Sequence, residues 1–245
     1  MGKRPTLDER GDFGKILGVA GFFCVLSGVL NGVAVSELGT PVGYTSGPCV
    51  NAGRFLAQGD LTAWWKILGI SLNFYAGGIL AGVTGSDCDS IFEGKVSLGM
   101  LFSACLLAVG TFCKRSLSRP ILAIQVLAFS QGLLNAITSK FSAAPLRATH
   151  TAGGMTDAAL TIGQTLVAMS KGQKPPALRK AILNAVCSVG MIVGGFGSIL
   201  SYKRVGSLAG YQCAAALAAS AFVLPAILPS PASAEETEKE KFKAA

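Results

Sequence analysis

The sequence predicts an all-α, polytopic membrane bundle of six spans, arranged as two three-helix repeats with short re-entrant or half-helices between them. Three observations carry that expectation. Of 245 residues, 51% are hydrophobic and 14% charged, with mean hydropathy +0.53; a soluble domain carries about 25% charge. Six charge-free runs are long enough to cross a bilayer, which takes about 18–20 apolar residues. Two polar, glycine-punctuated segments, "TSGPCVNAGRFLAQ" from Thr45 and "TAGGMTDAALTIGQ" from Thr151, recur about a hundred residues apart.

In chain order, residues 1–15 form a polar segment. Its "MGKRPT" opening fits the N-myristoylation pattern on Gly2 with Thr6, a short pattern that chance explains better in a chain already spanning the membrane. The first apolar run exceeds a signal-peptide core, so it is read as retained. The runs are Ile16–Ser36, Ile67–Ser86, Val96–Cys113, Pro120–Ser139, Ala181–Tyr202 and Val205–Ala234, the last expected to end near Pro225 or Pro229. The membrane domain therefore occupies 16–230, with halves of about 16–113 and 120–230, and 231–245 reads as a disordered charged tail. Segments 45–58 and 151–170 stay open between surface helix, re-entrant half-helix and complete span. With both termini in the cytoplasm, 14 of the 21 Lys and Arg fall inside and 7 outside, which favours that orientation in a plasma or organellar membrane.

The net charge of +8 sits between apolar runs, as in loops facing anionic lipid, and no basic stripe interleaves with aromatics, so membrane lipid and not nucleic acid is the expected partner. Seven scattered cysteines without a CxxC and a single histidine, His150, predict neither a metal site nor a disulfide framework, and no cofactor is expected. No Ser–His–Asp set, HExxH or phosphate loop is present, so an enzyme is not expected. The acidic cluster Asp87, Asp89 and Glu93 reads as a solvated turn rather than a cation loop. Trp64 and Trp65, beside Lys66, read as an interfacial belt. Gly78, Gly82, Gly190 and Gly194 read as close-packing faces.

A shift of 104 lays Gly28, Leu30, Asn31 and Pro41 on Gly132, Leu134, Asn135 and Pro145. A shift of 106 lays Thr45, Gly47, Asn51, Ala52 and Gln58 on Thr151, Gly153, Asp157, Ala158 and Gln164, and a shift of 112 lays Gly78/Gly82 on Gly190/Gly194. An odd number of spans per half makes the second copy enter from the opposite side, the inverted symmetry common in secondary transporters. The candidate substrate-binding set is Asn31, Thr45, Ser46, Gly47, Asn51, Asn135, Thr151, Gly153, Gly154 and Asp157. Half-helix N-termini would offer free N–H groups and partial positive charge to an anionic group, glycines would allow close approach, and Asp157 would carry a proton or cation. The bland alternatives are capping for Gly and Thr, helix–helix hydrogen bonds for Asn31 and Asn135, topology signals for Arg54 and Arg147, and an incidental loop residue for His150. The expected function is a small-solute or ion transporter with a midplane site; the rival is an accessory or scaffold subunit, or a homo-oligomer, docking through glycine-rich faces.

The blocks "GVLNGVAVSELGTPVGYTSGPCVNAGRFLAQGD" and "QGLLNAITSKFSAAPLRATHTAGGMTD" resemble the YoaK-like family, the membrane domain of unknown function numbered 1275. The resemblance implies a multi-span membrane protein and no established activity. Asn31 stands where the family pattern has Asp, Ser46-Gly47-Pro48 stands for Thr-Gly-Asn, and Ala152-Gly153 replaces the second Thr-Gly.

Overall fold

The computed structural model describes residues 13–84, 94–141, 151–174 and 178–227. The N-terminal segment with Gly2 and Thr6, the Asp87–Glu93 cluster, Arg147, His150 and the charged tail lie outside the described residues. Every regular element is helical: α1 (Phe13–Leu38), α2 (Ser46–Ala57), α3 (Leu61–Thr84), α4 (Gly94–Arg115), α5 (Pro120–Phe141), α6 (Thr151–Ser170), α7 (Arg179–Val205) and α8 (Ala209–Ile227). A 3-10 turn, Gly206–Leu208, joins the last two. Among the described residues five stretches are long and apolar enough to cross a bilayer, and the fifth, Ala181–Leu224, contains both α7 and α8. The chain is an integral membrane protein. Side chains such as Tyr75, Ile192, Phe196 and Phe222, exposed in the isolated chain, are the surface that lipid covers.

Helices α2 and α6 end alike. Gly59 and Gly172 adopt φ of 73° and 64°, the left-handed region that a side chain disfavours. In each case the next residue donates five back, Asp60 to Phe55 at 3.0 Å and Gln173 to Ala168 at 2.8 Å. These are glycine stops that satisfy the last carbonyls and turn the chain sharply into the following segment.

Glycine also sets the two closest crossings. In α1 against α7, a Cβ on Gly28 would lie 2.5 Å from the Met191 carbonyl oxygen and 3.0 Å from Gly194 Cα, and one on Gly190 would lie 2.9 Å from Cys24 Cβ. A Cβ on Gly194 would collide with the Val25 carbonyl. In α3 against α5, a Cβ on Gly132 would collide with the Phe74 carbonyl, and one on Gly77 with that of Phe129. Backbones meet because nothing larger than hydrogen separates them, the small-residue packing that replaces the hydrophobic effect inside a bilayer. Gly190 and Gly194 take the packing role expected of them. Gly78 and Gly82 do not: a Cβ on Gly78 would be 4.0 Å from Ala136 Cβ, and one on Gly82 meets open space, because the crossing falls on the face carrying Gly77.

Paired contacts give the helix directions. Gly21, Gly28 and Gly32 meet Val186, Met191 and Ser198 in that order, so α1 and α7 run the same way. Gly69 meets Gln125, and Gly77 meets Phe129 and Leu133, so α3 and α5 do likewise. Gly99 faces Ile137, and Gly110 faces Leu127, so α4 opposes α5. Leu30 shares a cavity wall with Gly110, and Glu37 with Lys114, so α4 follows α1. Hence α1, α4 and α7 point one way, and α3 and α5 the other. Ser207 and Gly210, before and within the start of α8, line that same cavity beside Leu38, so α8 also opposes α1. It follows that α2 begins inside the bundle, with Cys49 beside Ser71 of α3, and finishes at the end where α1 stops, while α6 begins beside Asn184 of α7 and finishes at the opposite end. Each packs on the long helix that follows it, α2 on α3 and α6 on α7.

Candidate functional site

At the centre of the bundle α1 touches α5, and the contact is polar. Ser27 Oγ donates to Gln131 Oε1 at 3.0 Å, with both residues buried. A turn away, Ser103 of α4 and Ser130 of α5 face each other: their hydroxyls are 2.7 Å apart, and each also reaches the other's backbone carbonyl, at 3.1 and 2.9 Å. Hydroxyl and amide groups cannot be left unpaired at this depth without a cost of about 1–3 kcal/mol each, so this layer is a fixed feature of the packed core.

Above the layer, toward the end where α1 stops, α1, α4, α5 and α8 enclose a cavity of about 20 Å³. That is room for one water molecule. Leu30 and Leu127 stand nearest the polar layer, Thr111 and Ser207 offer hydroxyls, and Glu37 with Lys114 stands at the outer end. The Tyr202 hydroxyl, from the end of α7, lies beside the Glu37 carboxylate.

The candidate residues divide sharply. Asn31 is buried, and its side chain is fully engaged. Nδ2 donates to the Ser27 carbonyl at 2.9 Å, while Oδ1 accepts from Val42 N at 3.0 Å and Gly43 N at 2.7 Å. Asn31 lies about two turns before the end of α1, so the loop after α1 folds back into the bundle and is pinned there. The amide is a structural anchor that sets where α2 begins. Gly43 has no room for a side chain, since a Cβ would collide with this same amide.

Thr45 precedes α2 but makes no side-chain cap; its carbonyl accepts from Cys49 N at 2.8 Å. Ser46 is exposed, and Gly47 and Asn51 are half-buried. The N-terminal part of α2 lies against α3, with Cys49 Sγ 3.5 Å from Ser71 Oγ. In the second copy Thr151 opens α6, Gly153 is exposed, and Gly154 and Asp157 are half-buried, the latter's carbonyl accepting from Thr161 Oγ1 at 2.8 Å. Asn135 is half-buried on α5, and its carbonyl accepts from Thr138 Oγ1 at 3.1 Å. The expected meeting of the two half-helix starts is not what the fold gives. Set apart on α3 and α7, α2 and α6 do not pack on each other, because each is held by a tight glycine turn to its own successor.

Beside Gly154 stands Asn184 of α7. Its Oδ1 lies 3.3 Å from where a Gly154 Cβ would be, and its Nδ2 is buried without a hydrogen-bond partner among the described residues. Sequence reasoning passed over Asn184, Ser27, Gln131, Ser103 and Ser130. For two of them a signal existed: in the aligned blocks "SGVLN" and "QGLLN", Ser27 and Gln131 precede the matched glycines at the same shift of 104.

A family model described as "Protein of unknown function (DUF1275)" matches residues 19–224, from the first turns of α1 into α8. The chain belongs to the DUF1275 family. The match covers both copies of the glycine–asparagine block together with the central polar layer. No curated protein and no solved structure matches this DUF1275 chain.

Proposed function

We propose that this DUF1275 protein is a secondary transporter for a small polar solute or ion, built from two inverted three-helix halves that rock about the central polar layer. The observation that carries the reading is the reuse of one contact set at two places. Adding 104 to the α1 positions and subtracting 117 from the α7 positions converts the first glycine crossing into the second. Gly28 against Met191 becomes Gly132 against Phe74, Gly194 against Val25 and Val29 becomes Gly77 against Phe129 and Leu133, and Gly21 against Val186 becomes Gln125 against Gly69. The appropriate shift for the third helix is therefore 117 rather than 112.

Ser27 and Gln131 are themselves 104 apart, so each contacts its own counterpart, as residues on a pseudo-two-fold axis must. Since α1 and α5 run oppositely, that axis lies in the membrane plane. On this reading six helices cross, α2 and α6 dip in from opposite faces, and the two chain ends share one side, which the charge census makes the cytoplasm. At 12 residues α2 extends about 18 Å, short of a hydrocarbon core of about 30 Å, whereas the 20 residues of α6 extend about 30 Å and its place in the dipping pair rests on its match to α2.

The cavity between α1, α4, α5 and α8, with room for one water in this closed form, is then where an outward vestibule would open as the halves rock apart. Glu37, Lys114 and two hydroxyls would admit a small polar solute, and Leu30 with Leu127 would close over the polar layer in this state. The scaffold alternative needs free small-residue faces, whereas Gly28, Gly32, Gly77, Gly132, Gly190 and Gly194 are consumed within the chain.

The test is solid-supported membrane electrophysiology on reconstituted protein, with a panel of inorganic ions, amino acids and nucleobases. Transport predicts a transient current with at least one member of the panel, abolished by Leu30→Trp, which fills the vestibule floor. Currents no larger than those of empty liposomes throughout, in protein that remains folded, reject the reading. Currents that survive both Asp157→Asn and Gly153→Leu place the translocation path away from α6.

A further inference from the structure

On the lipid-facing side, the N-terminal halves of α3 and α5 line a groove of about 570 Å³. Thr62, Trp65 and Ile121 form its rim, Lys66 and Gln125 stand one turn in, and Leu72 continues it toward the bilayer centre. Lys66 and Gln125 are each about 7.5 Å along their helices, which run in parallel, so both lie at the same depth. Neither has an ion-pair or side-chain hydrogen-bond partner among the described residues. An amide and an ammonium at that depth face hydrocarbon or lipid ester and phosphate groups, and the latter supply the missing acceptors.

The duplication, on the reading above, provides an internal comparison. The same shifts place Leu183 where Lys66 stands, Gly21 where Gln125 stands and Val189 where Leu72 stands. There the contact is apolar, with a Gly21 Cβ 3.3 Å from the Val186 side chain and Leu183 buried. Arg179, the counterpart of Thr62, is turned over the Phe13 ring, 5.5 Å from its centroid. The polar groove is thus not a requirement of the crossing, since the other copy folds without it.

We infer that the α3–α5 groove binds one anionic phospholipid from the leaflet at the α3 and α5 N-termini. Its phosphate pairs with Lys66 near Thr62 and Trp65, an ester carbonyl accepts from Gln125, and an acyl chain lies along Leu72. The exposed Trp65 ring (58% exposed) suits the same boundary between headgroup and chain.

The experiment is native mass spectrometry of the intact chain released from nanodiscs containing equal phosphatidylglycerol and phosphatidylcholine. The wild type is expected to retain a single phosphatidylglycerol about fivefold in excess of phosphatidylcholine, about the preference one lysine near a charged leaflet gives. Lys66→Gln should remove the preference, and Gln125→Leu should lower retention of both lipids. Lys203→Gln, an exposed cation at the same end of the bundle, should leave both unchanged. Equal retention of the two lipids by the wild type, or the same response to Lys66→Gln and Lys203→Gln, overturns the site. Neither outcome touches the transport reading, which stands or falls on currents.

Discussion

Replacing Gly28 with alanine adds one methyl group where the backbones of α1 and α7 meet. In the wild-type position that carbon would sit 2.5 Å from the Met191 carbonyl oxygen, about 0.9 Å short of ordinary contact. Neither partner is a side-chain end that can swing away; one is backbone, and the next is Gly194 Cα at 3.0 Å. Relief requires α1 and α7 to part along a crossing of some three turns, and overpacking of this kind costs about 1–3 kcal/mol. For a chain of this length 2 kcal/mol corresponds to about 4–8 °C in Tm. Gly132→Ala, its counterpart in α5, should lose a similar amount, while Gly82→Ala and Gly163→Ala enter open space and should change Tm by less than about 1 °C. Thermal unfolding of the detergent-solubilised variants, followed by tryptophan fluorescence or dye binding, reads the result. Equal losses at Gly82 and Gly28, or an unchanged Gly132→Ala, would refute the packing argument and the equivalence of the two crossings.

Asn31→Ala leaves the Val42 and Gly43 N–H groups without their acceptor and should cost about 2–4 kcal/mol, with faster hydrogen exchange confined first to the 39–45 loop; exchange that spreads evenly over α1 argues against the anchor. Asn184→Leu removes an unpartnered buried amide, where the first copy has Ile67, and should leave Tm unchanged or raise it by a few degrees; a fall would reveal a polar partner beside Gly154. A double-mutant cycle on Ser103→Ala and Ser130→Ala should give a coupling of about 0.6–1.7 kcal/mol, the range for hydroxyl pairs between membrane helices, and zero coupling would mean that the reciprocal bonds contribute nothing net.

The long helices were legible because a bilayer imposes a length and composition that a single sequence displays. The charge-free runs from Ile16, Val96, Pro120 and Ala181 fall within α1, α4, α5 and α7, the run from Ile67 follows α3 to its last described residue, Thr84, and the break at Gly206 follows the Lys203-Arg204 pair. What escaped depends on rotation and return. Gly77 and Gly78 are neighbours in sequence but about 100° apart around the helix, so only coordinates tell which one faces Phe129. Asn31 was visible as a buried amide, yet its partners belong to a loop that doubles back, and no periodicity encodes that. Ser27, Ser103 and the Ser130-Gln131 pair are small polar interruptions of apolar runs, unremarked until a neighbouring helix supplies the matching group. The ten-residue candidate set was chosen from the repeat together with the chemistry of helix starts, glycines and Asp157. Equal position brings residues together only at the contact between α1 and α5, as for Ser27 and Gln131, and leaves α2 and α6 apart.

The central claim concerns direction: the second half is the first half turned over. In a cysteine-free background, single cysteines at Asp60 and Gly172, the exposed turns after α2 and α6, can be tested with a membrane-impermeant maleimide applied to intact cells and to inverted vesicles. The account predicts that 60 is labelled from the side opposite the termini and 172 from the side they occupy. Labelling of both positions from the same face would contradict it.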